Sequence, residues 1–410
     1  MKAIRLSTLG KIVWLLIIFI FIICIGLVVS LFKDEDENST IEPVSKEEEK
    51  VINYIDQKQT VLNFEDEISL ESENDVIFLT ESQTYKLSGV NDKYNMVINA
   101  PNKVVKILFS NFKSTVLENL IEIKDAYKVI LEFEDSTINE LVPLSEDINL
   151  NSTSAIINSN SNIEITGKGK LIVNSTNNFI SSSGNIDYAN STLEILNINT
   201  AFNIKGNLKI NEGLIYINAS SEGIKSAGNL NLEAGKLIVK TLGKPIDVSG
   251  IFLVNNGEIL LTSMVELQKP NANSLQKSLI LNFEKPTSNI LVLHDTQKVV
   301  MAYKGGKQYQ HILYSRPQIE ENSYILYSGG SIAGVEEYDL YTKIEDYLED
   351  YQLTAPNLSN ATFVVEDLIT IYDGVVKKWQ FRLSFFIRYN KIRMEDVIWK
   401  ELVLLVIIME

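Results

Sequence analysis

The chain has 410 residues, 45% of them hydrophobic and 22% charged, with a formal net charge of −16 at pH 7. These proportions exclude both a wholly disordered chain and a multi-span membrane protein, and the length allows a large core with a second, smaller domain. Among the first 33 residues only Lys2, Arg5, Lys11 and Lys33 are charged, so the remainder carries −16 − 4 = −20. A body this acidic is repelled by nucleic acid and by bare anionic membrane. It leaves open a neutral glycan bound directly, or a polyanion bridged by cations.

Residues 12–32, IVWLLIIFIFIICIGLVVSLF, run 21 positions without a charge. As a helix that run crosses a hydrocarbon layer of about 30 Å. A secretory signal has a shorter apolar stretch and a small-residue cleavage site, of which only Val28-Val29-Ser30 gives a hint, so an uncleaved anchor fits better. Lys2, Arg5 and Lys11 precede the span, and Asp34, Glu35, Asp36 and Glu37 follow it. The positive flank stays inside, which makes 1–11 a cytoplasmic stub, 12–32 a single-pass transmembrane anchor at the cell membrane, and the body extracellular. Cys24, the single cysteine, lies in the apolar run behind Ile23. A disulfide framework is therefore impossible, and the bulky residue before the thiol argues against lipidation. Residues 33–63 read as an acidic stalk, with a short helix over 51–63.

From 64 to 263 the chain is rich in Ile, Leu, Val, Asn, Ser and Gly, and short alternating runs recur between Asn/Gly turns. That is a strand pattern. Asn162, Asn185, Asn207, Asn229 and Ile251 mark a repeat with spacings of 23, 22, 22 and 22 residues. One residue after each marker stands an apolar column, Ile163, Ile186, Leu208, Leu230 and Phe252. Three residues after it stand Ile165, Tyr188, Ile210, Leu232 and Val254, and five before it Ile157, Ile180, Phe202, Ile224 and Ile246. Gly213, Gly235 and Gly257 fall in register six residues after the marker, with Gly169 displaced by one.

A repeat of ~22 residues built from strands and turns is one coil of a parallel β-helix, whose inward face is buried only by stacking on its neighbours. The aligned asparagines predict a side-chain ladder at the turns and a tolerance for left-handed backbone there. Looser coils precede these around Val76, Val104 and Val129, and 137–150 reads as an insertion. The Asn, Ser and β-branched content opposes a helical repeat. From 264 the period stops. SLILNF, NILVLHD, KVVMAYKG, HILYS and YILYSGG predict a small antiparallel β cap over 264–365, protecting the last coil. Residues 366–410 change composition again and support no structural expectation.

At this point the chain resembles the bacterial surface carbohydrate-binding domain-containing proteins with a pectate-lyase-like right-handed β-helix. The resemblance rests on TYKLSG (84–89), VINAPNKVVKILFSNFKST (97–115), IEIKDAYKVILEF (121–133), IEITGKGKLIV (163–173) and EGIKSAGNLNLEAGKLIV (222–239). SLILNF, HDTQKVVMAY and LYSRPQIEENSYILYSGGS (313–331) extend it into the cap. It implies a right-handed helix, and a secreted or anchored binder of cellulose or acidic plant polysaccharide. Members usually carry Asp-Gly-Ile seven residues before the marker, which implies calcium there. Here that column reads Ala155, Asn178, Thr200, Glu222 and Lys244. Calcium takes six to eight oxygens, normally several from carboxylates, so Glu222 is left as a weak calcium candidate.

Catalytic chemistry is hard to find. Between 151 and 263 the only aspartates are Asp187 and Asp247, and the glutamates share no column. Glu164 and Asp187 come closest to the paired carboxylates that glycoside hydrolysis needs. A lyase would want an arginine or lysine base with calcium carboxylates, and no arginine lies between Arg5 and Arg316. His294 and His311 both fall in the cap, and one cysteine with two histidines makes no zinc site. For binding, a face with Asn158, Asn160, Ser181, Ser182, Lys205 and Ser226 offers hydrogen bonds to a glycan, and Glu222, Lys225 and Tyr216 are further outward contacts.

The expectation is therefore a non-catalytic, membrane-anchored carbohydrate-binding β-helix protein that contacts cell-wall or environmental polysaccharide. Its binding residues are expected among Asn158, Asn160, Ser181, Lys205, Glu222 and Lys225. A structural or adhesive surface protein that binds other proteins, and a divergent polysaccharide lyase, are the alternatives.

Overall fold

The computed structural model describes residues 58–66, 70, 72–143, 154–295, 299–329, 335–342 and 359–373. All of them fall in the compact unit Tyr54–Glu410. The stub 1–11, the span 12–32, most of the stalk and the chain from 374 onward lie outside the described residues. Among the described residues no helix is long and apolar enough to cross a membrane.

The chain winds into a parallel β-solenoid with three faces. The first face stacks Val76–Leu79, residues 95–98 and 121–123, Ala155–Ser159, Asn178–Ser182, residues 200–204 and 222–226, and Ile246–Val248. The second runs through nine rungs, from Gln59–Asn63 to Phe252–Val254. The third ends in Lys170–Asn174, residues 192–196 and 214–218, Lys236–Lys240 and Glu258–Ser263. Each rung supplies the backbone partners its neighbour needs, so the hydrogen bonds run along the solenoid axis.

The three apolar columns read from the period all point inward, and none of their fifteen side chains is more than 2% exposed. A pair of further columns completes the core on the third face: Leu171, Leu193, Ile215, Leu237 and Ile259, then Val173, Ile195, Ile217, Val239 and Leu261. Inward aliphatics from all three faces thus form one continuous cluster. Gly213, Gly235 and Gly257 have φ of +94°, +86° and +105°. A Cβ on any of them would sit 2.5–2.6 Å from the carbonyl oxygen of the coil below, so the column tolerates only glycine.

The turn ladder differs from the expected one. Asn162, Asn185, Asn207 and Asn229 each accept, through Oδ1, the backbone N–H of the next marker residue, at 2.9, 2.8, 2.8 and 2.8 Å. The bond is side chain to main chain. None of these asparagines has a positive φ; Asn190 and Asn197, between markers, do. The marker turns need an acceptor for an orphan N–H, not a left-handed backbone.

Two other local expectations change. Gln59–Asn63, inside the segment expected to be helical, is the first strand of the second face, paired in parallel with residues 84–88. Its Leu62 is buried, and stacking on the next coil outweighs local helix preference. Ile138–Leu141, expected to be inserted between coils, is a rung of the third face paired with Lys170–Asn174. Residues 144–153 lie outside the described set.

The cap has two parts. Tyr309–Ser315 pairs antiparallel with Glu258–Ser263 on one side and Ser278–Thr287 on the other, so it continues the third face past the last coil. Ile369–Asp373 joins this extension in parallel with Ser278–Thr287. The second part is a six-stranded antiparallel sheet holding Leu291–His294, Val299–Tyr303, Asn322–Ser328, Val335–Glu337, Leu340–Thr342 and Ser359–Val365. Its apolar side covers the outward side of the third face, where Tyr216, Ile238 and Leu260 join Leu291, Met301 and Tyr324 in a second core.

Candidate functional site

The outward sides of the first and third faces meet different fates. On the third face the cap covers Tyr216, which is buried. Its hydroxyl donates to Asp339 at 2.5 Å, and its ring lies 5.4 Å from that of Tyr338. Burial, reinforced by the neighbouring carboxylate, pushes its hydroxyl well above the ordinary tyrosine range. Expected as a free outward contact, Tyr216 is instead part of the cap interface. Lys240 is buried beside it and pairs with the same Asp339. Lys307 reaches in from the cap and donates to Asn218 Oδ1 at 2.9 Å, to the carbonyl of Ala219 at 2.5 Å and to that of Lys240 at 3.4 Å. Burial, with Lys240 close by, lowers its amine to about 8.

The first face carries a groove of about 170 Å³ lined by Asn158, Ser159, Asn160, Ser181, Ser182, Ser183, Asn203 and Lys205. Four of the six expected contact residues, Asn158, Asn160, Ser181 and Lys205, are brought together there. They come from successive coils: Asn158 is the Cα partner of Ser181, and Ser181 of Asn203. Asn158 donates to Asn119 Oδ1 at 2.5 Å and to the carbonyl of Ala155 at 3.2 Å, which fixes its amide and leaves its own oxygen as an acceptor. Asn160 donates to the carbonyl of Lys124 at 3.3 Å.

Four lining side chains, those of Ser181, Ser183, Asn203 and Lys205, make no hydrogen bond or ion pair with another described residue. Elsewhere on the solenoid lysines are commonly paired with carboxylates: Lys86 with Glu134, Lys106 with Glu132, Lys128 with Glu164 and Lys236 with Glu258. The groove therefore holds donors and acceptors that water or a ligand must satisfy.

Ser182, although it lines the groove, and Ser226 do not turn their hydroxyls to that surface. Both are buried, and their hydroxyls accept the N–H of Gly184 and Gly228, two residues on, at 3.1 Å each. They close turns from inside. Reading the outward column alone would have separated them from Ser183 and Asn203, which the sequence reading missed: Asn203 shares the register of Asn158 and Ser181, and Ser183 that of Asn160 and Lys205. Lys225 continues the outward column one coil beyond Asn203. Glu222 lies 3.5 Å from the Lys225 amine on the same strand.

The Glu222 column does not fit calcium. It offers one carboxylate, already facing an ammonium, with Thr200 and Lys244 at the flanking positions, whereas the ion wants several oxygen ligands of negative charge. Among the described residues no cluster of three acidic, histidine or cysteine side chains is placed to hold a metal. Glu164 and Asp187 are Cα partners on the second face, and Glu164 is held by Lys128 at 2.9 Å. Asp187 in turn is the Cα partner of Lys209, so each carboxylate of the pair has a lysine nearby.

Among the described residues the chain is an all-β solenoid with one side capped and another side presenting an open polar groove. The particular family follows from the sequence match: residues 73–315, more than half of the chain, fit the model of the carbohydrate-binding domain-containing proteins, and the chain belongs to that family. A solved structure described as a polysaccharide lyase-like protein from C. thermocellum, in a gadolinium derivative, is 18% identical. It covers 52% of this chain and 96% of that one at a TM-score of 0.36, too distant to carry an argument. No curated protein sequence gives a significant match.

Proposed function

We propose that the chain holds polysaccharide in the groove on its first face without cleaving it, at the outer cell surface, tethered by residues 12–32. The observation that carries this reading is the groove itself, with the unpaired side chains of Ser181, Ser183, Asn203 and Lys205 on two successive coils. The family's carbohydrate-binding description supports the ligand class. The charge of −20 beyond residue 33 favours a neutral glycan over a polyanion. The non-cleaving part rests on Glu164, the nearest approach to a catalytic carboxylate, being engaged by Lys128. The topology rests on the basic residues before the apolar span and the acidic ones after it.

The test is binding of the purified full-length chain to a panel of wall and plant polysaccharides, with calcium and with chelator. The expected result is binding of a neutral polysaccharide that survives the chelator. The double variant N203A/K205A weakens it, with the thermal midpoint unchanged. Loss of binding on chelation would overturn the metal-free reading. No binding anywhere in the panel would overturn the function, and new reducing or unsaturated ends in the bound glycan would overturn its non-catalytic nature.

A further inference from the structure

The first face repeats its outward chemistry coil by coil. Glu122, Asn158, Ser181, Asn203, Lys225 and Asp247 are successive Cα partners and form one file along the solenoid. A second file, two residues further along each strand, runs through Asn160, Ser183 and Lys205, whose backbone N–H groups bond to the carbonyls of Ile123, Ser159 and Ser182 in the coil before. Both files therefore advance by one strand spacing, about 4.8 Å, per coil. The first file is bounded by carboxylates held by lysines: Glu122 lies 3.7 Å from Lys124, and Asp247 3.0 Å from Lys244. Between them four rungs offer an amide, a hydroxyl, an amide and an ammonium.

Resting on the reading of this groove as a carbohydrate site, we infer that its ligand is a linear, extended polysaccharide lying along the solenoid axis, one sugar per coil over four coils. Laid across the strands, a glycan would meet only the five residues of Asn178–Ser182 before the backbone turns the corner. Along the axis it meets a new polar side chain at every coil. A glycan linked across opposite sides of each ring advances by about one ring length per sugar, close to the strand spacing, and stays in register. A glycan whose linkages curve the chain leaves the file within a few sugars. The repeat of the protein thus selects on the repeat of its ligand, a discrimination no single rung could supply.

Calorimetric titration of the full-length chain with β-1,4-linked gluco-oligosaccharides of two to six sugars, and with an α-1,4-linked series of the same lengths, tests this. In the extended series affinity should climb roughly fivefold per sugar, about one net hydrogen bond each, and level off after four sugars. The curved series should show no such climb. A disaccharide that binds as tightly as the hexasaccharide, or a curved series that climbs equally, would overturn the axial register while leaving the carbohydrate reading intact. Failure of both series and of every polysaccharide in the wider panel would overturn the two together.

Discussion

The first and third faces are built from the same coils with the same period, yet one is left open and the other is sealed. On the third face the outward file reads Ile172, Glu194, Tyr216, Ile238 and Leu260 and becomes apolar toward the cap. On the first it reads Asn158, Ser181, Asn203 and Lys225 and stays polar over these coils. The difference teaches that the inward columns specify the solenoid, while the outward columns assign each face its task. Apolar outward residues recruit a second layer, and polar ones keep a face open to solvent.

Four perturbations sharpen that contrast. The largest effect should come from Asp339→Ala, which leaves Lys240 buried without its counter-ion at the capped face. Breaking one half of such a pair costs about 3–5 kcal/mol, measurable by urea unfolding, and replacing both partners by apolar residues should restore most of it. An undiminished midpoint in the single variant would mean that the cap does not seal this pair. Next, Ile238→Ala should cost about 2–5 kcal/mol because it opens a cavity beneath the cap. Ser181→Ala, one face away, should stay within about 0.5 kcal/mol of the parent. Equal effects on the two faces would erase the distinction.

The third test uses pH. The Lys307 amine is lowered from its ordinary 10.5 to about 8 in the folded chain, so between these values the unfolded state binds the proton that the native state has lost. Stability contributed by this group should therefore rise with pH from about 8 to 10.5. The buried hydroxyls of Tyr216 and Tyr309 have the opposite linkage. Desolvation raises them, so from about pH 10 upward the unfolded state ionises first and stability falls. Thermal melts across this range should show a rise and then a loss, and Lys307→Met should remove only the rise. The smallest loss belongs to the turn ladder, above only the near-neutral Ser181→Ala. Asn207→Ala deprives the Asn229 N–H of its acceptor and should cost about 1 kcal/mol, since solvent at this exposed turn replaces part of the bond.

Much of this was legible in the chain itself. A spacing of 22 residues leaves three positions per coil that are always apolar, and only stacking buries such columns, so the solenoid follows from periodicity and the hydrophobic effect. The strands of the cap were also legible, because Gly, Asn and Pro punctuate them. The third face was not picked out, although Leu171, Leu193, Ile215, Leu237 and Ile259 keep the same period. Of the groove, Asn158, Asn160, Ser181 and Lys205 could be named from polarity alone, while Ser182 and Ser226 were misplaced because a serine reads the same whether it faces water or closes a turn.

What the sequence determined by itself is the repeat: coil length, inward columns, the glycine file and the acidic charge, all properties that act through neighbours at fixed spacing. What only the tertiary structure decided is which outward surface is free. Tyr216 and Ser181 lie on successive parts of one winding chain, and no local pattern says that a loop more than a hundred residues downstream will bring Asp339 onto Tyr216. Burial of an outward residue depends on where a distant segment packs, and that is settled by the apolar area the cap must hide rather than by any spacing in the coils.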